Sequence, residues 1–261
     1  MLSPDELAKY QELRAIVARL RAPDGCPWDR EQTHASLRPH VIEEAYEVLA
    51  ALDAGDTSKL PEELGDLLFQ VLLHTQLAEE TGEFSMAEVL GGLADKLVRR
   101  HPHVFGDVDI ETADQVIEQW EQLKSKERAG QDSALASVPG AMPALSYAQT
   151  LLRRAEAAGF AWPDKADVLE KLTEEIGELA AAPTNEEAAA ELGDILLNVV
   201  NYARYLGIDA EEALRGAGHK FRRRFGAVES LARERDVDMK SQSRETLMGL
   251  WREAKAFEAG Q

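Results

Sequence analysis

The chain has 261 residues, 44% of them hydrophobic, with 29 Lys and Arg against 48 Asp and Glu and a formal net charge of −19. That length holds one large domain or two small ones with ample core. So acidic a chain is a poor binder of nucleic-acid polymers or anionic membranes, and suits divalent cations or anions that arrive with cations attached.

Taken in chain order, Ser3-Pro4-Asp5-Glu6 combines an N-cap, a Pro at the first helical position and a capping-box Glu. It predicts a helix to about Leu20. This charged start is unlike a signal peptide, and no apolar run reaches the ~18 residues that would span a membrane. The single cysteine, Cys26, excludes an internal disulfide framework and fits a reducing compartment, so a cytoplasmic protein is expected. Apolar periodicity predicts further helices over 37–54, 58–80, 85–100 and 114–127. Residues 129–142, with Gly130, Pro139 and Gly140, read as a linker between domains 1–128 and 143–261. Helices follow over 143–158, 165–182, 186–206, 210–233 and 244–257. No alternating, β-branched stretch interrupts them, so the fold class is all-α.

The chain also repeats itself. Glu43-Glu44-Ala45-Tyr46-Glu47 matches Glu174-Glu175-Ile176-Gly177-Glu178, and Glu63-Leu64-Gly65-Asp66 matches Glu191-Leu192-Gly193-Asp194. Lys96 and Arg100 match Lys220 and Arg224; Trp120 and Lys124 match Trp251 and Lys255. The order is conserved between the halves, so one helical unit of about 130 residues is duplicated in tandem.

A lone Glu-x-x-Glu means nothing here, because composition alone yields about nine such acidic pairs by chance. The compound pattern is what signifies. Carboxylates at i and i+3 share a helix face, and a short turn makes the two helices antiparallel neighbours. The acidic pairs of Glu175, Glu178 and Glu191, Asp194 then face one another, as do Glu44, Glu47 and Glu63, Asp66 in the first half. Converging carboxylates repel unless a cation compensates, and an all-oxygen site favours Mg²⁺, then Mn²⁺. A di-iron bundle needs two Glu-x-x-His motifs; only Glu31-Gln32-Thr33-His34 fits, without a partner in the second half. Gly65 and Gly193 interrupt the acidic helices at some cost in propensity, which predicts close helix packing beside the metal site.

These units, with Gly25-Cys26-Pro27-Trp28-Asp29 and Arg99-Arg100-His101-Pro102-His103-Val104-Phe105, resemble the MazG family of nucleoside triphosphate pyrophosphohydrolases from about Leu13 to Lys255. The resemblance implies the all-α NTP pyrophosphatase superfamily, with a four-helix-bundle type of active site in each of two MazG-like units. It also implies a homodimer that hydrolyses nucleoside triphosphates to monophosphate and pyrophosphate with Mg²⁺, a house-cleaning role in the nucleotide pool. The implied metal ligands are Glu175, Glu178, Glu191 and Asp194, with Glu174 beside them to orient the attacking water. Lys171, Lys220, Arg224, Trp251 and Lys255 fall on nucleotide-binding positions. The first half offers Glu44, Glu47, Glu63 and Asp66, with Glu43, Lys96, Arg100, Trp120 and Lys124 as a secondary site.

The halves differ. Lys171 precedes Glu175 by four residues where the first half has His40, and Asn201, seven after Asp194, has Leu73 as its counterpart. Asn201 is thus a candidate contact to a sugar or a metal ligand. Both differences make the second half the expected main catalytic one, while the first keeps every acidic position and leaves metal binding or weak activity open. Glu187 departs from the family, which can carry Lys there; with Thr184 it reads as a capping box. A regulator that senses nucleotide or metal without turnover is the alternative function.

Overall fold

The computed structural model describes residues 3–55, 57–110, 112, 115–116, 119–120, 123, 133–160 and 164–259, and their regular structure is helical. The chain divides into two compact units, residues 1–111 and 112–261. The division falls closer to the N-terminus than the linker read from composition, so Trp120 is grouped with the second unit. Of the helix expected over 114–127, residues 115, 116, 119, 120 and 123 are described and are helical; Lys124 and residues 129–132 lie outside the described residues.

In the first unit, α1 (Pro4–Arg21) opens on the capping box its sequence encodes: Glu6 N–H donates to Ser3 Oγ at 3.2 Å and Ser3 N–H to the Glu6 carboxylate at 2.7 Å. Two single turns, α2 (Pro27–Glu31) and α6 (Pro102–Phe105), are too short to show a hydrophobic period, and each starts with Pro at its first position. Gly25 precedes α2 because a side chain there would collide with the Leu20 and Arg19 carbonyls. Between these turns lie α3 (Arg38–Asp53), α4 (Leu60–Thr81) and α5 (Met86–Arg100). α4 stops at Gly82, whose φ of 72° is the left-handed conformation that glycine adopts without a Cβ clash. α3 packs along α4, and α1 lies on α4. Val17, Leu37, Leu72, Leu73, Leu77 and Met86 form the core. Truncating a wholly buried leucine such as Leu72 costs about 2–5 kcal/mol, a large part of the ~5–15 kcal/mol that holds a domain folded.

The second unit comprises α7 (Ala144–Ala157), α8 (Lys165–Ala181), α9 (Asn185–Tyr205), α10 (Ala210–Glu234), a 3₁₀ turn (Met239–Ser241) and α11 (Arg244–Ala259). Side-chain caps start five of them: Asp164 accepts from the Ala166 and Asp167 N–H groups, Thr184 from Glu187, Asp209 from Glu212, Asp238 from Lys240 and Ser243 from Thr246. The segment before α7 is attached to this unit, with Val138 buried and Arg154 donating to Ser137 Oγ at 2.8 Å. α8 packs along α9, repeating the α3–α4 hairpin. Leu152, Val200 and Ala210 form one core, while Val228, Leu231, Ala232, Leu250 and Ala254 join α10 to α11 in another. Among the described residues, no helix is long and apolar enough to cross a membrane.

The expectation of close packing at Gly65 and Gly193 is overturned. Both are exposed, and a Cβ added to either meets no atom within 4 Å.

Candidate active site

In the second unit, carboxylate oxygens of Glu175 and Glu178 on α8 and Glu191 on α9 all lie within 4.8 Å of one another. Glu175 is 5% exposed, which puts a charged group out of water and demands a partner. Lys171, one turn earlier, supplies it: Nζ lies 2.9 Å from Glu175 Oε1 and 3.1 Å from Glu174 Oε2. The Lys171 hydrogen bond holds the Glu175 carboxyl below its ordinary range, and the two carboxylates raise the lysine in return. Among the described residues, the charges that act on Glu191 are all carboxylates. Desolvation, then its hydrogen bond with Glu175 and repulsion from Glu178, Glu175 and Asp194, push its carboxyl upward. An all-oxygen donor set whose carboxylates repel one another and are partly desolvated fits a hard divalent cation.

Lys171, Glu174, Glu175 and Asp194 line one cleft of about 450 Å³ with Asp167, Glu170, Leu197 and Asn198. The last four were not singled out from the sequence, although two were legible. Asp167 precedes Lys171 by one turn, and Asn198 follows Asp194 by one, donating its Nδ2 hydrogen to the Asp194 carbonyl at 3.0 Å. Asn201 is not among the lining residues: it is 1% exposed, and its Oδ1 accepts from Arg204 Nη1 at 2.7 Å.

The first unit brings the equivalent carboxylates together with a histidine, not a lysine, four residues before Glu44. Desolvation, then the charges of Asp66, Glu47 and Glu43, raise the Glu44 carboxyl; desolvation and Glu47 lead the same shift in Glu63, which Lys59 opposes. His40 stands where Lys171 does, with Nδ1 3.4 Å from Glu43 Oε2 and its ring edge-on to Trp28 at 5.7 Å. His34 faces His74, Nδ1 to Nδ1 at 2.7 Å.

The cationic and aromatic positions form a second group. Lys220 and Arg224 stand one turn apart on α10, and Trp251 and Lys255 one turn apart on α11. Trp251 meets Phe221 at 5.5 Å and, with Phe221, Phe225, Val228, Met239, Leu247 and Met248, lines an apolar cavity of about 350 Å³. Arg224 donates from Nε to Glu258 Oε2 at 2.5 Å. In the first unit Lys96 is exposed and Arg100 half-buried on α5, while Trp120, grouped with the second unit, is 38% exposed.

A helical protein built twice on a carboxylate-bearing hairpin, followed each time by a helix with Lys and Arg one turn apart, is the class that fold and site define. The MazG nucleotide pyrophosphohydrolase domain matches residues 32–105 and 164–228, each span holding one hairpin and its cationic helix. The chain is 43% identical over 258 residues to the nucleoside triphosphate pyrophosphohydrolase of Escherichia coli (strain K12), covering 96% of this chain and 98% of that one. It is 41% identical over 247 residues to the nucleoside triphosphate pyrophosphohydrolase/pyrophosphatase MazG of Thermotoga maritima, covering 94% and 95%. The nucleoside triphosphate pyrophosphohydrolase of Mycobacterium tuberculosis is 43% identical over 159 residues, 60% of this chain and 48% of that one. This chain belongs to the MazG nucleotide pyrophosphohydrolase family.

Proposed function

We propose that the chain hydrolyses nucleoside triphosphates, ribo- or deoxyribo-, to the monophosphate and pyrophosphate with Mg²⁺ (or Mn²⁺), as a homodimer that cleanses the nucleotide pool. The second unit is the main catalytic one. The observation that carries this reading is the convergence of Glu175, Glu178 and Glu191, with Asp194 one turn along α9 and Lys171 beside them. The names of the full-length relatives favour the same substrate class.

Glu175, Glu178, Glu191 and Asp194 would hold the cation, which would supply positive charge for the phosphates and lower the pKa of a water. Lys171 holds Glu175 ionised, and it turns its charge to the phosphates when they arrive. Glu174, half-exposed at the cleft, keeps Oε2 on Lys171, which leaves Oε1 to accept a hydrogen bond from the attacking water. Lys220, Arg224 and Lys255 bind phosphate, and Trp251 offers a face for the base. The first unit is a secondary site: His40 is a weaker substitute for Lys171, reaching Glu43 at 3.4 Å.

The homodimer reading rests on exposed apolar stripes in both hairpins. Leu192, Leu196 and Val199 on α9 are 48%, 47% and 45% exposed, and their counterparts Leu64, Leu68 and Val71 on α4 are 51%, 42% and 44%. Spaced i, i+4, i+7, each set lines one helix face, which a second copy would cover.

The test is release of pyrophosphate and monophosphate from the common NTPs and dNTPs, with Mg²⁺ and with a chelator. Both products, lost on chelation, are expected. Nucleotide binding with no product across the panel would instead favour the regulator.

A further inference from the structure

We infer that Glu258 is a positioning residue of the nucleotide site, which holds the Arg224 guanidinium by its Nε side so that the Nη1–Nη2 fork is presented to a phosphate. The inference rests on the reading of Arg224 as a nucleotide contact. Trp251, Lys255 and Glu258 are spaced i, i+4, i+7 and share one face of α11. That face meets the Lys220–Arg224 side of α10, as the 5.5 Å approach of the Phe221 and Trp251 rings shows.

At this junction Arg224 Nε donates to Glu258 Oε2 at 2.5 Å and Arg223 Nη2 to Glu258 Oε1 at 3.1 Å. Each carboxylate oxygen therefore has one arginine. Arg224 is the enclosed one of the two, its side chain 22% exposed against 64% for Arg223. A guanidinium has two edges able to grip oxygen pairs. With Glu258 on the Nε side, the remaining edge is oriented before any ligand arrives. A surface ion pair contributes little to folding. Fixing a long side chain in one rotamer is instead what binding gains from, since it lowers the ordering cost of association.

The sequence carries an independent trace of the same arrangement. The Trp-x3-Lys element extends in both halves to a Glu three residues on, as Trp120, Lys124, Glu127 and as Trp251, Lys255, Glu258. The carboxylate is duplicated along with the aromatic and cationic positions. A residue that only tied down the end of α11 has no reason to keep that register in the other half.

The test compares Glu258→Gln, Glu258→Asp, Arg224→Gln and the Glu258→Gln/Arg224→Gln double variant. Its readouts are KM and kcat for ATP with Mg²⁺, Kd for a non-hydrolysable ATP analogue, and Tm. Glu258→Gln is expected to raise KM and Kd about five- to twentyfold with kcat within about twofold, the signature of lost uniform binding. Tm should stay within a few degrees, and Glu258→Asp should recover most of the affinity. The double variant should bind no more weakly than Arg224→Gln alone, because both changes act through one guanidinium. A raised KM in Arg224→Gln with a wild-type KM in Glu258→Gln overturns the inference and leaves the nucleotide site standing. So do fully additive effects, or a large fall in Tm without a change in Kd. An unaltered KM and Kd in Arg224→Gln overturn the reading of Arg224 itself, and the inference with it.

Discussion

Nζ of Lys171 lies 2.9 Å from Oε1 of Glu175, so the most enclosed carboxylate of the acidic cleft is neutralised from within its own helix. The order of the pair is informative. On a helix, Glu four residues before Lys is the stabilising arrangement, and Lys before Glu is the poorer one. The pair therefore serves the cleft more than the helix. Because Lys171 holds Glu175 below its ordinary range, its removal lets that carboxyl keep its proton to higher pH. Lys171→Met should move the acidic limb of the kcat/KM profile upward. Superimposable limbs in the two pH profiles would count against this role.

Replacing a ligand in the second unit should be far more damaging than in the first. Glu175→Gln removes the carboxylate that Glu178, Glu191 and Lys171 converge on, and pyrophosphate release should fall by at least about a hundredfold. Glu44→Gln, where His40 replaces the lysine, should leave turnover within about threefold. Equal losses in steady-state assays of the two variants would show that both units contribute alike.

The first unit should lose stability in acid. Glu79 accepts from Met86 N–H at 3.0 Å and pairs with Arg14 at 2.6 Å, and these contacts depress its carboxyl, the backbone bond first. Glu80 is depressed by its hydrogen bonds from Arg21. A group depressed in the folded state contributes stability fully present above the ordinary Glu value near 4.3. That stability fades as pH falls through the lower folded value. Glu79→Gln should cost about 1–2 kcal/mol at pH 7 and flatten the dependence of stability on pH between about 5 and 3. Urea titrations across that range measure both.

Leu196 lies at the centre of the exposed stripe on α9. Leu196→Glu adds charge to a solvent-exposed position, so the folded unit should tolerate it while self-association does not. Light scattering should show the wild type as a dimer and the variant shifted to monomer, with matching circular dichroism.

How far each feature could be read follows from the range of the interaction behind it. Sequence by itself determined the long helices, because caps such as Ser3–Glu6 and Thr184–Glu187 act over three residues. It also determined the duplicated acidic hairpins, because i, i+3 spacing fixes which carboxylates share a face. The Lys171–Glu175 pair, within one turn, was legible for the same reason. Tertiary structure alone decided what covers each face. Two full turns place Asn201 on the same side of α9 as Asp194. Yet at that level Arg204, tied to Glu156 on α7, takes its carbonyl oxygen and closes it off, and Asn198 lines the cleft instead. Gly65 and Gly193 face open space for a like reason: periodicity defines a helix face but not the neighbour placed against it. The Arg224–Glu258 contact joins residues 34 apart, and it exists only because α10 and α11 pack together through a core that neither helix carries alone.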